Sequence, residues 1–157
     1  MRPFIIDIRK IEGVSGASLD CNLAWTPEGL DLARRTAGFA GDVRFKGSVS
    51  NIGDAYMVDG SISGVFKAKC DRCLKEFTSD FDLQLTRVFA EAGYEAALDD
   101  TDIETLDGLE IDLGPHIREE VVLSMPIRLL CEDGCKGICP GCGVDLNNGE
   151  CICGESH

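Results

Sequence analysis

Closely spaced cysteines constrain this chain more than any other feature. The 157-residue sequence contains nine of them. Cys70 and Cys73 form a C-x-x-C pair, and six more lie near the C-terminus, namely Cys131, Cys135, Cys139, Cys142, Cys151 and Cys153. Cys21 stands alone and is expected to be a small buried apolar residue. The other eight are the number of ligands that two four-thiolate metal sites require.

The spacing favours zinc as the metal. Zinc prefers thiolate ligands, and four of them close a structural site. Gly141 and Gly143 flank Cys142 and let the backbone turn tightly, as in a zinc knuckle. One pairing places Cys139, Cys142, Cys151 and Cys153 in one site, and Cys70, Cys73, Cys131 and Cys135 in the other. A zinc ribbon that joins Cys70 and Cys73 to Cys139 and Cys142 stays open as an alternative, and one or two zinc ions are expected.

Redox chemistry and iron–sulfur ligation are alternative uses of these cysteines. A redox C-x-x-C normally opens a helix after a strand, whereas a strand-like run follows Cys73. All-cysteine zinc sites leave no open position for an activated water. The sequence contains two histidines, His116 and His157, and has no phosphate-binding glycine loop and no G-x-S-x-G nucleophile motif. We therefore expect a protein that is not an enzyme.

The central sequence alternates between apolar and polar residues, as antiparallel strands with one buried face do. Such runs occupy 43–49, 62–70 and 77–89, and weaker ones occupy 3–11 and 17–25. The C-x-x-C pair lies between the last two strong runs, which predicts that it forms the tip of a β-hairpin.

Two helices are predicted. One starts at Gly114-Pro115 and stops at Pro126, with Ile117, Val121 and Met125 on one face. A shorter helix is predicted from Thr26 to Ala37. We expect an α+β fold with a mainly antiparallel sheet, one or two short helices and a cysteine-rich, zinc-binding C-terminal tail. The predicted division is a β-rich domain over 1–130 and a tail over 131–157 that packs on or near the 70–73 hairpin.

Charge is distributed unevenly along the chain. The net charge is −13, and residues 91–112 carry nine acids and no lysine or arginine. This stretch is interpreted as a solvated acidic loop, or alternatively as a surface for a basic partner. The overall charge excludes a protein that coats nucleic acid by bulk electrostatics, and no DNA partner is expected.

A small basic patch surrounds the C-x-x-C pair, formed by Lys67, Lys69, Arg72 and Lys75. Ordinary solvated charge explains such a patch, and local contact with RNA phosphates is the alternative. No apolar run approaches the length of about 20 residues that a membrane helix needs. Asp7 and Arg9 interrupt the position where a signal peptide needs its apolar segment. The expected location is therefore the cytoplasm, with no membrane partner.

Three blocks of the sequence resemble the YceD family of large ribosomal RNA subunit accumulation proteins. The first is Lys69-Cys-Asp-Arg-Cys-Leu-Lys-Glu-Phe77. The second is Glu110-Ile-Asp-Leu113, which resembles an acidic strand of the family, followed by the helix that ends at Pro126. The third is Cys131-Glu-Asp-Gly-Cys-Lys-Gly-Ile-Cys-Pro-Gly-Cys-Gly143, followed by Asp145-Leu-Asn147 and Cys151-Ile-Cys153.

The resemblance implies a bacterial or organellar factor that is needed for normal 23S rRNA levels in large-subunit biogenesis. It implies no enzymatic reaction and no catalytic residues, and it carries the eight clustered cysteines over as metal ligands. The partners it implies are a large-subunit rRNA precursor, a basic ribosomal protein, or both. A zinc-dependent adaptor or chaperone for a basic ribosomal protein, without RNA contact, is the alternative, and an RNA-processing enzyme ranks below it.

Overall fold

The computed structural model describes residues 4–27, 38–94 and 103–153 of the chain. Within these residues the elements are β1 (Ile5–Asp7), β2 (Ser18–Trp25), β3 (Gly38–Phe39), β4 (Val43–Asn51), β5 (Ala55–Lys69), β6 (Glu76–Ala90), β7 (Ile103–Thr105), β8 (Glu110–Asp112) and α1 (Gly114–Ser124). The α+β fold with a mainly antiparallel sheet is confirmed. The short helix predicted from Thr26 to Ala37 lies mostly outside the described residues.

The main sheet has the strand order β2-β4-β5-β6-β7, and β3 also pairs with β5. β5 and β6 form a hairpin of fifteen residues per strand, and among the described strands β7 alone pairs with its neighbour in parallel. Gly47 and Gly60 face each other between β4 and β5. A Cβ atom on Gly47 would lie 2.3 Å from the Asp59 carbonyl oxygen, so a side chain at this position would clash with the backbone of β5.

The core lies on one face of this sheet. Alternate residues of β4, β5 and β6, such as Phe45, Ile62 and Leu85, are fully buried. The two-stranded sheet of β1 and β8 and the helix α1 supply the other half of the same apolar cluster. The predicted face of α1 is confirmed, because Ile117, Val121 and Met125 are all buried.

A partly buried ion pair attaches α1 to β6. Arg87 points to the inner face of β6, where its Nη2 lies 2.6 Å from Oε1 of Glu120. The same guanidinium donates a hydrogen bond from Nη1 to the Thr86 carbonyl oxygen at 3.0 Å. Because a buried charge without a partner is costly, this pair fixes where the helix crosses the strand.

The interpretation of 91–112 as a loop is wrong for two short segments, of which β8 coincides with the acidic strand that the family resemblance implies at Glu110–Leu113. β7 pairs with the end of β6, and β8 pairs with β1, with Ile6 opposite Ile111. Ile111, the single apolar residue of β8, is buried, whereas Glu110 is exposed and Asp112 is half-buried. Backbone pairing with distant strands thus orders a segment whose composition favours a loop.

The N-terminal strand is shorter than predicted, since turns follow β1 from residue 9 onward instead of a strand that reaches Ile11. Cys21 is buried, as expected for a small apolar residue. No helix among the described residues is long and apolar enough to cross a membrane.

Candidate metal centres

The C-x-x-C pair occupies the turn of the β5–β6 hairpin, as predicted. Cys70 directly follows β5, and its N–H donates to the Lys75 carbonyl oxygen at 2.8 Å. The Leu74 N–H donates to the Cys70 carbonyl oxygen at 3.0 Å. Leu74 has a φ of +64°, a conformation that costs a residue with a side chain roughly 1–2 kcal/mol. The turn is therefore tight enough to point both sulfurs to one side.

Four sulfurs converge beneath this turn, and we call them the first cluster: Cys70, Cys73, Cys131 and Cys135. The Sγ atoms of Cys70 and Cys135 are 3.7 Å apart, and those of Cys73 and Cys131 are 3.6 Å apart. Sulfurs bound at 2.3 Å to one tetrahedral zinc ion lie about 3.8 Å apart. The first cluster therefore fits an ion of this kind.

Hydrogen bonds draw the chain after α1 onto the hairpin tip. The Asp71 N–H donates to the Leu129 carbonyl oxygen at 2.7 Å, and the Leu129 N–H donates back to Oδ2 of Asp71 at 2.8 Å. Arg72 donates from Nη1 to the Cys135 carbonyl oxygen at 2.8 Å. These bonds place Cys131 and Cys135 beside the C-x-x-C turn.

The second cluster consists of Cys139, Cys142, Cys151 and Cys153. Sγ of Cys139 lies 3.2 Å from that of Cys151 and 4.0 Å from that of Cys153. Cys142 and Cys153 are exposed, whereas three members of the first cluster are buried. The second cluster is thus formed near the surface by a segment with few apolar side chains.

The turn of the second cluster repeats the first. The Gly143 N–H donates to the Cys139 carbonyl oxygen at 2.8 Å, as Leu74 does to Cys70, and Gly143 has a φ of +74°. A Cβ atom on Gly141 would lie 2.9 Å from Sγ of Cys153. Gly141 therefore makes room for the fourth sulfur, and Gly143 makes the turn without strain.

The structure brings the sulfurs together in the first of the two pairings that the sequence left open. The ribbon that would join Cys70 and Cys73 to Cys139 and Cys142 does not form. Each site instead combines a C-x-x-C turn with two cysteines that follow later in the chain. Short spacing alone could not separate these pairings, because the choice depends on where the tail meets the hairpin.

Backbone N–H groups point at the sulfurs and favour their ionised form. The Cys73 N–H lies 3.5 Å from Sγ of Cys70, and the Gly141 N–H lies 3.4 Å from Sγ of Cys139. Burial opposes ionisation of Cys70, but N–H groups including that of Cys73 lower its pKa to about 6. The N–H groups of Cys142 and Gly141 and the Cys151 thiol lower the pKa of Cys139 to about 6.

Two cysteines of each cluster shift in the opposite direction, Cys73 and Cys131 in the first and Cys151 and Cys153 in the second. Burial and the neighbouring sulfurs raise the pKa of Cys131 to about 12. The sulfurs of Cys142 and Cys151, followed by burial, raise the pKa of Cys153 to about 12. Several thiolates in one place repel each other, so full ionisation needs a cation among them. The donor set and its electrostatics therefore fit a soft divalent metal such as zinc.

A polar link that the sequence interpretation missed connects the two clusters. Asn147 lies between Cys142 and Cys151, yet it donates from Nδ2 to Sγ of Cys135 in the first cluster at 3.4 Å. Its Oδ1 accepts the Lys136 N–H at 2.8 Å. Asp145 orients Asn147 and also forms an ion pair with Lys75 at 2.5 Å. The Asp145-Leu-Asn147 block of the sequence contains both residues, but spacing and composition alone assign them no role.

The predicted basic patch is largely engaged within the chain. Lys67 pairs with Glu76 at 3.1 Å, Lys75 pairs with Asp145, and Arg72 contacts the Cys135 carbonyl oxygen. Lys69 is exposed at the end of β5. The structure thus places all four residues around the hairpin tip and assigns structural contacts to three of them.

Comparison with known proteins identifies the family. The family model described as large ribosomal RNA subunit accumulation protein YceD matches residues 58–157. An uncharacterized protein of Mycobacterium tuberculosis is 26% identical over 92% of this chain and 71% of its own length. A chloroplastic protein of Zea mays, named large ribosomal RNA subunit accumulation protein YCED homolog 1, is 30% identical over 90% of this chain and 54% of its own length.

The homologous protein of Arabidopsis thaliana, with the same name, is 44% identical over 48 residues, which are 31% of this chain and 15% of the relative. No solved structure matches significantly. The family match covers the hairpin, the helix and both cysteine clusters, which is well over half of the sequence. The chain therefore belongs to the YceD family of large ribosomal RNA subunit accumulation proteins.

Proposed function

We propose that this protein is a zinc-binding, non-catalytic factor that supports the accumulation of 23S rRNA during assembly of the large ribosomal subunit. The observation that carries the proposal is the family match over 58–157, which includes both cysteine clusters. The role places the protein where ribosomes are assembled, which is the cytoplasm in a bacterial cell.

Zinc has a structural task in this proposal. The first cluster would fasten the chain after α1 to the hairpin tip, and the second would fold the last described residues. A segment with so little apolar surface gains folding free energy from metal binding. Four thiolates around each ion leave no coordination position for water or substrate, which supports a non-catalytic role.

The test uses a bacterial strain whose own family gene has been deleted, complemented with a tagged copy of this chain. Sucrose gradients at low and high salt show whether the tagged protein migrates with large-subunit precursors, and RNA quantification reports 23S levels. Co-migration that high salt abolishes, together with restored 23S rRNA, supports the proposal. Protein that stays at the top of the gradient at both salts, with 23S rRNA still low, contradicts it.

The absence of catalysis has its own test. Purified, zinc-loaded protein is incubated with a 23S precursor transcript, and the products are separated by gel and analysed by mass spectrometry. Neither strand cleavage nor a change of nucleoside mass is expected. A product that appears with wild type and disappears on mutation of one acidic residue would reveal an enzyme.

A second candidate is a chaperone for a basic ribosomal protein that makes no RNA contact. It is favoured by the contacts that occupy Lys67, Arg72 and Lys75, together with the net charge of −13. Ultraviolet crosslinking in cells distinguishes the two functions. A crosslink to rRNA near the hairpin tip, lost on charge reversal at Lys69, supports direct contact, and crosslinks to protein alone support the chaperone.

A further inference from the structure

One long edge of the main sheet has no partner strand in the described parts of the chain. β6 pairs with β5 along its whole length, from Glu76 to Ala90. On its other side, β7 covers only Val88, Phe89 and Ala90. The edge from Glu76 to Leu85 therefore presents backbone N–H and C=O groups that can pair with a further strand.

A groove of about 330 Å³ follows this edge. Its lining includes inward-facing residues of β6, such as Phe81, and outward-facing ones, such as Asp80. The groove therefore borders the edge of the strand and does not lie on one face of the sheet. The opposite wall is the last residue of α1 and the segment that follows it. The lining residues are Phe66, Phe77, Ser79, Asp80, Phe81, Asp82, Leu83, Ser124, Pro126, Leu129 and Leu130.

The inner side of the groove is apolar, and more apolar surface lies nearby in the sequence. Phe77 and Leu83 are half-buried, which leaves part of each side chain open to the groove. Leu123, one residue before the opposite wall, is 71% exposed, and Ile127, within that wall segment, is 91% exposed. Apolar surface of this kind beside a free strand edge is typical of a binding site for an extended peptide.

The outer side of the groove is acidic. Asp80 and Asp82 are exposed, form no ion pair among the described residues, and belong to the groove lining. The lining contains no lysine, arginine or histidine. A strand added to this edge would direct alternate side chains to the two sides. One set would meet the apolar side, and the other would meet the two carboxylates.

We infer that the free edge of β6 binds an extended protein segment in which apolar residues alternate with lysine or arginine. This inference rests on the proposed function, because such a segment belongs to a basic protein of the large subunit. Backbone pairing supplies the affinity, the apolar side sets the register, and Asp80 and Asp82 select the basic side chains.

The probe is a synthetic octapeptide that alternates lysine and valine, titrated into full-length, zinc-loaded, ¹⁵N-labelled protein. Saturable amide shifts confined to residues 76–86 and 124–130 are expected, with proton contacts between the peptide and β6. A block peptide of the same composition is expected to bind much more weakly. Shifts centred on β2, or equal binding of the block peptide, would overturn the inference.

The double variant Asp80→Asn/Asp82→Asn tests the charges, with Asp20→Asn/Asp133→Asn as the matched control of equal net charge. Both pairs of side chains are exposed, so both variants are expected to fold. Affinity is expected to fall about threefold to tenfold in the first variant only. Equal peptide affinities of the two double variants would contradict the role of Asp80 and Asp82 in selecting basic side chains. Displacement of the peptide by a short single-stranded RNA would instead identify the groove as an RNA site.

Failure of this inference can be distinguished from failure of the proposed function. If Asp80→Asn/Asp82→Asn protein shows the expected loss of peptide affinity but restores 23S rRNA as fully as wild type, the groove is not the functional contact and the proposed function stands. If wild type binds the peptide but never restores 23S rRNA, the proposed function fails while the peptide site stands.

Discussion

The side-chain amide of Asn147 contacts Sγ of Cys135 at 3.4 Å, although Asn147 lies between two cysteines of the other cluster. The two candidate metal centres are therefore structurally connected and not independent of each other. The loop that closes the second cluster supplies a hydrogen bond to the first, and Asp145 holds that loop to Lys75 of the hairpin. Metal binding at one centre should thus influence the other.

Replacing Asn147 tests this link. Asn147→Ala removes a hydrogen bond to a sulfur ligand, and the loss of such outer partners typically lowers metal affinity about 10–100-fold. Chelator competition followed by native mass spectrometry counts the ions that remain on each chain. Asn22→Ala, at an exposed position of β2, is the control and should match wild type. If Asn147→Ala also retains metal as wild type does, the link has no energetic role.

Asp145 is expected to order the loop that joins the clusters. Asp145→Ala removes the ion pair with Lys75 and the bonds to Asn147. In zinc-loaded protein, amide exchange at Leu146 and Cys139 should then be faster, because both amides donate within this loop. Asp133→Ala, at an exposed site in the tail, should leave exchange there unchanged. Unaltered protection in Asp145→Ala would assign the loop's order to the metals alone.

Leu74 holds a strained conformation that Gly143 adopts freely in the equivalent turn. Leu74→Gly and Leu74→Ala both remove the side chain, but only glycine relieves the positive φ. We expect Leu74→Gly to be more stable than Leu74→Ala by about 0.5–1 kcal/mol, after allowing for the larger backbone entropy of unfolded glycine. Denaturant unfolding of the zinc-loaded proteins measures the difference. A lower stability of Leu74→Gly would show that the turn carries no strain.

Gly141 is expected to be essential for the second cluster only. A Cβ atom there would lie 2.9 Å from Sγ of Cys153, which displaces that sulfur. Gly141→Ala should bind one metal ion, whereas Gly134→Ala should bind two, since nothing lies within 4 Å of a Cβ at Gly134. Native mass spectrometry of the two variants measures the number of metal ions bound per chain. Two tightly held ions in Gly141→Ala would mean that the second centre has a different geometry.

The sequence predicts the local features of this fold well. Period-two alternation identifies β4, β5 and β6 because each strand buries one face against a common core. The hairpin tip at Cys70 and Cys73 follows from two such runs that flank a short spacer. The helix α1 follows from Pro115, from Pro126 and from its apolar face. All of these signals are contained in neighbouring residues.

Features that depend on distant contacts are harder to predict. β7 and β8 lie in an acidic stretch and exist because β6 and β1 pair with them, which composition does not report. The grouping of the cysteines depends on the bonds from Asp71 and Arg72 to the chain after α1. The roles of Lys75 and Asp145 likewise appear only when the tail is placed against the hairpin.

The metal content of the intact protein tests the central claim most directly. Native mass spectrometry of protein purified without chelators should show two zinc ions per chain. Two double variants each remove two ligands from one cluster and should bind fewer ions than wild type. Cys73→Ser/Cys135→Ser disables the first cluster, and Cys142→Ser/Cys153→Ser disables the second. The second variant should keep one ion in the buried first cluster. A wild-type protein that is folded, fully reduced and free of metal, with its tail amides still protected from exchange, would contradict the account.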